Sequence, residues 1–327
     1  MAAERPVVAV SYRADAEFAA VNSEVLDGSA DLVYTYELDD VRRALRGADA
    51  LLAYELRKEV PAGALDDPGR LEFVQFLSTG VDSVDFSALP PALTVACNAG
   101  AYAGAVSEHA LAMTLSLAKR LPQRHAALIA GRFEKWTPAM TLAGATCVIV
   151  GFGGIGRTTA GMLRAFGARI CAVSRTGASE AADQTVGIAD LASVLPAADV
   201  VILALPLTLA TRGLIGSREL ALMKPDAILV NVARGPIIDQ AALYEHLLGH
   251  PGFSAGIDTW WAEPTGEAPF RTDYPFLDLP NVLGSPHNSS IVAGTMTSAA
   301  RQAAENVLRY LQGGTVTGVI RRSDYVA

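Results

Sequence analysis

The stretch that decides the fold is Cys147-Val-Ile-Val-Gly-Phe-Gly-Gly-Ile-Gly156. Its first four residues predict a buried strand, and the sequence that follows the motif predicts a helix. A GxGxxG pattern in this context indicates a dinucleotide site, because each glycine meets a separate steric demand. Gly151 permits the tight turn, Gly153 lets the backbone approach a pyrophosphate, and Gly156 lets helix and strand pack closely. The amino terminus of the helix then stabilises the phosphate charge.

The strand after this turn, Arg169–Val173, should end at the ribose of a bound dinucleotide. The sequence there is Ser174-Arg-Thr176, beginning 18 residues after the last glycine of the motif. A site selective for NAD would place Asp or Glu here, to accept a hydrogen bond from the ribose 2′-hydroxyl. The guanidinium of Arg175 instead offers a fork of donors for a 2′-phosphate, and the hydroxyls of Ser174 and Thr176 add donors. We predict that NADP(H) is preferred, with NAD(H) as the alternative if Arg175 is a solvated surface residue.

Short apolar runs alternate with helical stretches along the chain, which predicts parallel sheets with helices on both faces. The candidate strands of the first hundred residues are Val7–Tyr12, Asp31–Glu37, Ala50–Tyr54, Phe73–Ser78 and Thr94–Asn98. Those of a second series are Cys147–Val150, Ile170–Val173, Val200–Ala204, Ala227–Asn231, Ser254–Ile257 and Asn281–Gly284. Six strands is the count of a doubly wound dinucleotide-binding fold. We also predict a helix over Ala105–Leu121, a loop over Gly131–Met140, and a helix over Gly294–Leu311 that returns to the first domain.

Composition and charge restrict the class of protein. The 327 residues are enough for two domains, and 51% of them are hydrophobic against 18% charged, which indicates a globular chain. The net charge is −8 and no basic block occurs, so nucleic acid is not expected as a partner. Since no apolar run could span a membrane and the amino terminus does not resemble a signal peptide, we expect a cytoplasmic location. We interpret Cys97, Cys147 and Cys171 as buried, reduced residues, and no metal site is predicted.

Three ionisable residues follow predicted strands of the second series, at the sheet edge where ligands of such folds bind. Arg234, Glu263 and His287 come after the fourth, fifth and sixth of these strands. Reduction of a 2-oxo acid needs a cation for the carboxylate and carbonyl, and a proton donor for the forming alkoxide. An imidazolium is a suitable donor, and a neighbouring carboxylate stabilises it. Each residue alone has an ordinary structural explanation; together they predict an oxidoreductase that moves a hydride between a nicotinamide dinucleotide and a small 2-oxo or 2-hydroxy acid.

The motifs around these residues resemble those of the D-isomer-specific 2-hydroxyacid dehydrogenase family, and the resemblance covers nearly the whole chain. The blocks that carry it are Leu205-Pro-Leu-Thr208, Thr211-Arg-Gly-Leu-Ile215, Met223-Lys-Pro-Asp-Ala-Ile-Leu-Val-Asn-Val-Ala-Arg-Gly235, Asp258 with Glu263-Pro264, Ser285-Pro-His287, Ser78-Thr-Gly-Val-Asp-Ser-Val-Asp85 and Val106-Ser-Glu-His109. It implies an α/β fold of two doubly wound parallel-sheet domains. A Rossmann dinucleotide-binding domain, residues 101–287, would be inserted in a flavodoxin-like substrate domain formed by residues 1–100 and 288–327.

The resemblance also implies roles for individual residues. Arg234 would bind the substrate carboxylate and carbonyl, His287 would be the general acid/base, and Glu263 would pair with His287. The nicotinamide would lie near Asp258. The full set of cofactor-binding residues would be Gly151, Gly153, Gly154, Ile155, Gly156, Ser174, Arg175, Thr176, Leu205, Pro206, Thr211, Val232, Ala233, Asp258 and Ser290.

The resemblance implies further contacts for the substrate and for a second subunit. Backbone amides around Thr79 and Gly80 would hold the substrate carboxylate, and Tyr54 and Leu56 would face its side chain. The region Val106–Leu121 would supply much of a two-fold dimer interface. Trp136-Thr-Pro138 is similar to a segment of NADPH-preferring glyoxylate/hydroxypyruvate reductases, in which the Trp reaches the partner's substrate pocket; the alternative is that Trp136 only packs at an interface.

The substrate and the class of activity leave alternatives open. Glyoxylate or hydroxypyruvate is the first expectation, and a larger or phosphonate-bearing 2-oxo acid is the second. The sequence does not show whether Glu55, Arg57 or Lys58 faces the substrate. A non-catalytic, dinucleotide-sensing corepressor is a different class with the same fold. The lack of long basic or disordered extensions favours the enzyme.

Overall fold

The protein is described by a computed structural model that covers residues 5–38, 40–175, 180–264 and 266–326. The chain divides into two compact units. The first unit comprises Met1–Tyr102 and Val292–Ala327, and the second comprises Ala103–Ile291. Each unit is built around its own parallel sheet.

The first unit contains a five-stranded sheet in the order β2-β1-β3-β4-β5, with every neighbouring pair parallel. Its strands are β1 Val7–Val10, β2 Asp31–Tyr34, β3 Ala50–Ala53, β4 Phe73–Phe76 and β5 Thr94–Ala96. This is the flavodoxin-like strand order of a doubly wound sheet. The predicted strands are present, but each ends earlier than predicted, because the chain leaves the sheet at the carboxyl edge and turns into a loop or helix.

The second unit contains a seven-stranded parallel sheet in the order β12-β11-β10-β9-β6-β7-β8. Its strands are β6 Thr146–Val150, β7 Arg169–Val173, β8 Gln184–Val186, β9 Val200–Leu203, β10 Ile228–Asn231, β11 Ser254–Ile257 and β12 Val282–Gly284. The prediction of six strands is wrong by one, since β8 was missed. That strand is a three-residue edge strand with no fully buried residue, so its sequence lacks the apolar run that marks the others.

Ten α-helices occur among the described residues, and they cover the sheets of their own units. They are α1 Ala16–Leu26, α2 Val41–Gly47, α3 Leu56–Glu59, α4 Ala103–Ala118, α5 Leu121–Ile129, α6 Gly154–Ala165, α7 Leu191–Val194, α8 Ser217–Leu222, α9 Gln240–Gly249 and α10 Thr295–Leu311. Short 3-10 helices lie at Thr35–Glu37, Phe86–Ala88, Ile188–Asp190, Leu195–Ala197, Gly235–Ile237, Phe276–Asp278 and Arg322–Asp324. In the first unit α10 buries a face of small residues, Ala299, Ala300, Ala303, Ala304 and Val307.

The long helix predicted over Ala105–Leu121 ends earlier, at Ala118, and α5 follows it. The break lies at Arg120, whose φ of 53° is left-handed and therefore cannot continue the helix. The apolar stripe of α4 is buried within the unit, where Met113 and Leu117 contact Gly256 of β11. The expectation that the region Val106–Leu121 supplies much of a two-fold dimer interface stays a prediction.

Two predictions made from the composition of the chain concern membrane-spanning helices and the cysteines. In the described part of the chain, no helix combines the length and the apolar character that crossing a membrane requires. Cys147 and Cys171 are buried in β6 and β7 as predicted, and Cys97 is half-buried; all three are free thiols. Burial raises the pKa of the Cys97 thiol to about 11 and that of the Cys147 thiol to about 12, so neither is a ready nucleophile.

An unusual histidine lies in the last turn of α9. The ring of His246 stacks on that of His250, with 4.1 Å between centroids, and meets the ring of Phe253 edge-on at 4.6 Å. Its Nε2 is buried and has no hydrogen-bond partner among the described residues. Burial first, and then the charge of His250, lower the pKa of His246 from 6.5 to about 4.

This low pKa predicts a specific acid sensitivity. In the unfolded chain His246 becomes protonated below about pH 6.5, whereas in the folded chain it becomes protonated only near pH 4. The free energy of unfolding therefore falls as the pH is lowered from about 6.5 to about 4, and this contribution levels off below that range. His246→Phe keeps an aromatic ring but removes the titration. Its melting temperature should fall less than that of wild type between about pH 7.5 and about pH 4.5. His125→Gln, on α5, is the control and should keep the wild-type dependence; equal losses in His246→Phe and wild type would contradict the assignment.

Candidate active site

The phosphate turn joins β6 to α6, and its glycines are sterically required. Gly151 has a φ of 95°, and a Cβ there would lie 2.3 Å from the carbonyl oxygen of Ala204. A Cβ on Gly156 would lie 2.1 Å from the carbonyl oxygen of Gly151. At Gly153 a Cβ would meet no atom of the described chain within 4 Å, which leaves open space beside the backbone. The turn therefore has the tight bend, the close helix packing and the open approach that a pyrophosphate needs.

The turn lies where the strand order reverses. β6 is flanked by β7 on one side and by β9 on the other, so the loops after β6 and β9 diverge at the carboxyl edge. This is the topological switch point at which open parallel sheets bind their ligands. The predicted cofactor residues Leu205 and Pro206 follow β9, and Val232 and Ala233 follow β10, so they lie at the same edge. The Thr211 hydroxyl donates to the carbonyl of Pro206 at 2.7 Å and so fixes this loop.

The predicted ribose position follows β7 directly. The amide of Ser174 donates to the carbonyl of Val186 on β8 at 3.0 Å, which anchors the end of the strand. Arg175 is the next residue, and no carboxylate occurs in the sequence from Ser174 to Ser179. Thr176 lies outside the described residues.

Arg234 is presented by a turn after β10 that Asn231 holds from inside. The Asn231 side chain accepts from the amide of Ala233 at 3.0 Å and donates to the carbonyl of Arg234 at 2.9 Å. The Arg234 guanidinium donates to the carbonyl of Ala233 at 2.7 Å. The backbone of this turn is therefore fixed by a buried amide side chain, and the Arg234 side chain folds back along it.

Glu263 and His287 form a direct pair. His287 Nδ1 lies 2.7 Å from Glu263 Oε2, and the Trp260 amide donates to Glu263 Oε1 at 3.1 Å. Their side chains are 36% and 38% exposed, so ligands and water can reach them. Burial raises the pKa of Glu263, but hydrogen bonds from His287 and Trp260 and the charges of His287 and Arg234 outweigh it, so the pKa is lowered. The carboxylate is therefore ionised and accepts a hydrogen bond from Nδ1–H, which leaves Nε2 as the ring nitrogen outside this pair.

The backbone of His287 is left-handed, with a φ of 50°. Its amide donates to the carbonyl of Asp258 at 2.8 Å, which holds this uncommon conformation. Left-handed geometry at a residue other than glycine is strained and is often found at functional sites. Here it turns the chain after β12 back towards the end of β11, where Glu263 follows.

Trp260 connects all three predicted catalytic residues. A Cβ on Gly235, the residue after Arg234, would lie 2.3 Å from the Trp260 carbonyl carbon, so the two backbones are in direct contact. The indole packs on Gly284 and donates through Nε1 to the carbonyl of Ser285 at 2.9 Å, two residues before His287. The Trp260 amide binds Glu263. The structure thus brings Arg234, Glu263 and His287 around one buried residue.

A polar cluster adjoins His287, and Asp258 is the one member to which the sequence analysis assigned a role. Asp258 is fully buried, and its Oδ1 accepts from the Ser285 hydroxyl at 2.6 Å. The same hydroxyl lies 2.9 Å from Nε2 of His109 on α4. Asp258 Oδ2 and Thr259 Oγ1 are buried and have no partner among the described residues. His109 and Ser285 appear in sequence motifs, but only the fold shows that they meet.

The first unit presents the residues predicted to bind substrate. Within the described chain, the amides of Thr79 and Gly80 have no hydrogen-bond acceptor, whereas the Thr79 hydroxyl donates to the carbonyl of Asn98 at 3.1 Å. Tyr54 is exposed, while Leu56 packs against the core of its unit. Glu55 forms an ion pair of 2.7 Å with Lys58.

Trp136 and Ser290, two further residues of the predicted site, lie in the second unit. Trp136 is 84% exposed, and Lys135 Nζ lies 4.8 Å from its ring centroid. Ser290 lies in the loop between β12 and α10 and is half-buried. Among the described residues no group of three or more His, Cys, Asp or Glu side chains could hold a metal ion.

Comparison with known proteins adds independent findings. Residues 111–289, more than half of the chain, match the family described as D-isomer specific 2-hydroxyacid dehydrogenase, NAD binding domain. A glyoxylate reductase of Thermococcus gammatolerans is 33% identical over 279 residues, which cover 82% of this chain and 81% of that protein. A hydroxypyruvate reductase of Thermotoga maritima is 29% identical, with 89% of this chain and 93% of that protein covered.

Two further matches bear on substrate and cofactor. A D-3-phosphoglycerate dehydrogenase of Methanocaldococcus jannaschii is 29% identical over 90% of this chain, which spans only 55% of that protein. A solved structure of a D-isomer specific 2-hydroxyacid dehydrogenase from Xanthobacter autotrophicus Py2, in complex with NADPH and MES, is similar with a TM-score of 0.82 and 25% identity. The match covers 98% of this chain and 100% of that one.

The contact distances at the phosphate turn predict opposite effects of two alanine substitutions on one helix. Gly156→Ala forces a methyl group against the Gly151 carbonyl, so unfolding should become easier by about 1–3 kcal/mol and dinucleotide binding should weaken. Gly161→Ala, also on α6, meets open space and should stabilise the protein by up to about 1 kcal/mol. Urea denaturation and calorimetric dinucleotide titration measure both. Equal stability of the two variants would contradict the close helix–strand packing.

Proposed function

Since the chain belongs to the D-isomer specific 2-hydroxyacid dehydrogenase family, we propose that it reduces glyoxylate or hydroxypyruvate with NADP(H), using Arg234, Glu263 and His287. The observation that carries the proposal is the 2.7 Å contact between Glu263 and His287, in the field of the Arg234 charge. A cation, a carboxylate and an imidazole arranged in this way meet the needs of carbonyl reduction.

His287 is the proton donor in this proposal. The Glu263 carboxylate accepts a hydrogen bond from Nδ1 and fixes the orientation of the ring. Nε2 then delivers a proton to the oxygen that gains charge as the carbonyl is reduced, and takes it back in the reverse direction. The Trp260 amide holds the second oxygen of Glu263, so the carboxylate keeps its place through the cycle.

Arg234 stabilises negative charge on the substrate. Its guanidinium has five donors, which suits a carboxylate and a developing alkoxide on one small molecule. The turn braced by Asn231 supplies a rigid base for the side chain. The first unit offers a second anion site, because the amides of Thr79 and Gly80 donate to no acceptor in the part of the chain that the structure describes. We assign the substrate carboxylate to them.

The residues of the second unit fit a nicotinamide dinucleotide. Gly151, Gly153 and Gly156 shape a turn open to a pyrophosphate, and Asp258 Oδ2 is a buried acceptor with no partner among the described residues. When bound, the nicotinamide supplies the hydride for reduction or accepts it for oxidation. Arg175 would hold the 2′-phosphate of NADP(H), because a guanidinium binds phosphate through paired, charge-assisted hydrogen bonds.

The charge pattern after β3 supports a small substrate. The ammonium of Lys58 is paired with Glu55 at 2.7 Å, so its positive charge is already matched. A substrate with a second anionic group would have to compete with this pair. Measurement of kcat/KM on a panel of 2-oxo acids with NADPH decides the point; a phosphorylated acid preferred over glyoxylate and hydroxypyruvate would contradict the proposed substrate.

We also assign a homodimer to this chain. Leu121, Leu128, Ile129, Phe133 and Trp136 are exposed large apolar residues within a short segment that includes α5. Such a concentration of exposed apolar side chains is rare on monomers and common at interfaces. A second copy of the chain would cover this segment, and Trp136 would reach the partner's substrate pocket.

The proposed acid predicts a selective loss in His287→Ala. Removing the proton donor should lower kcat by about 10²–10⁴-fold, while NADPH affinity changes little, because the imidazole acts on the carbonyl oxygen. Steady-state kinetics and a binding titration separate the two quantities. His250→Gln replaces an exposed histidine of α9 and should keep the wild-type kcat. Wild-type kcat in His287→Ala would remove His287 from this role.

The cofactor assignment predicts a change of preference in Arg175→Ala. The loss of charge-assisted bonds to the 2′-phosphate should lower kcat/KM for NADPH by about 10–100-fold and leave that for NADH nearly unchanged. Arg218→Ala, an exposed arginine on α8, serves as the charge-matched control and should change neither value. A wild-type enzyme that favours NADH tenfold or more would overturn the assignment.

A further inference from the structure

The two oxygens of the buried Asp258 carboxylate are used unequally. Oδ1 accepts from the Ser285 hydroxyl at 2.6 Å and from the Asn288 amide at 3.3 Å. Oδ2 is buried and receives no donor from the described residues. Both protein donors are therefore directed to one oxygen of a side chain that has no exposed surface.

The direction of the hydrogen bonds follows from the chemistry of the groups. A carboxylate only accepts, so the Ser285 hydroxyl proton points to Asp258. The Ser285 oxygen is then an acceptor for His109, whose Nε2 lies 2.9 Å away and must carry the hydrogen. His109 therefore donates to Ser285, and Ser285 donates to Asp258, so the two hydrogen bonds run in one direction.

The backbone of Ser285 is held independently of these two hydrogen bonds. Its amide donates to the carbonyl of Ile257 at 2.9 Å, and its carbonyl accepts from the Trp260 indole at 2.9 Å. Replacing the Ser285 side chain therefore leaves both backbone bonds in place. The hydroxyl is the element that links α4 to the end of β11.

We propose that His109 and Ser285 are positioning residues for the nicotinamide half of the dinucleotide, acting through Asp258. They hold Oδ1, and Oδ2 then stands as a fixed acceptor for the amide N–H of the nicotinamide carboxamide. This inference rests on the proposed function, since it needs a nicotinamide dinucleotide in the second unit. It adds two residues that touch neither the substrate nor the catalytic pair through their side chains.

The unequal pairing separates this role from ordinary burial of polar groups. A purely structural carboxylate would be expected to have both oxygens satisfied, because an unpaired buried acceptor destabilises the fold. Here two donors bind one oxygen, and no described residue donates to the other. A ligand N–H supplies the missing donor in the bound state.

The test uses ligands with and without the nicotinamide. NADPH and 2′,5′-ADP share the phosphorylated adenosine half, and calorimetric titration gives a Kd for each with the full-length protein. Ser285→Ala and His109→Leu should weaken NADPH binding by about tenfold, the worth of a hydrogen bond to a charged group, and leave 2′,5′-ADP unchanged. Ser285→Thr and His109→Gln keep a hydroxyl and an N–H donor, and should restore NADPH binding.

The possible results distinguish failure of the positioning role from failure of the proposed function. Equal weakening of NADPH and 2′,5′-ADP, or no weakening of NADPH, would overturn the positioning role. If Ser285→Ala or His109→Leu fails to fold, the other of these two variants still tests the positioning role, together with Ser285→Thr and His109→Gln. A wild-type protein that binds neither ligand, nor NADH and ADP-ribose, would instead refute the proposed function itself.

Discussion

The packing of Trp260 is the constraint on which the candidate site depends. Its backbone touches Gly235 beside Arg234, its amide binds Glu263, and its indole binds the carbonyl of Ser285 near His287. Gly235 and Gly284 both pack against Trp260 and have no room for a side chain. A Cβ on Gly235 would lie 2.3 Å from Trp260, and a Cβ on Gly284 would lie 2.9 Å from it. Three loops that follow three neighbouring strands are thus fixed to one buried residue, as a preorganised site requires.

Parallel pairing explains why these loops meet at all. β10, β11 and β12 are adjacent and parallel, so their carboxyl ends lie at one edge of the sheet. Asp258 fixes the loop after β12 from within the unit. Its backbone carbonyl accepts from the amide of the left-handed His287, and its carboxylate accepts from the Ser285 hydroxyl and the Asn288 amide. The Glu263–His287 pair is therefore joined to a network that reaches the fully buried carboxylate of Asp258.

Much of this architecture could be predicted from sequence because its signals are local. The glycine motif, the apolar runs of β6 and β9–β12, and the order of Arg234, Glu263 and His287 all appear in the chain as written. β8 was missed because one exposed and two half-buried residues at a sheet edge carry little pattern, and the break at Arg120 depends on one left-handed residue. The contacts of Trp260 and the series from His109 to Asp258 join residues far apart in sequence, so no local signal could reveal them.

The central claim is that Glu263 holds the proton of His287 on Nδ1 and leaves Nε2 to react. Nitrogen-15 NMR of the histidine rings, with His287 assigned by its loss in a His287 variant, reports the protonation of each nitrogen directly. When the ring is neutral, we expect its hydrogen on Nδ1 in wild type and loss of that preference in Glu263→Leu, whose side chain accepts no hydrogen bond. A neutral wild-type ring that carries its hydrogen on Nε2, or a tautomer unaffected by Glu263→Leu, would contradict the account.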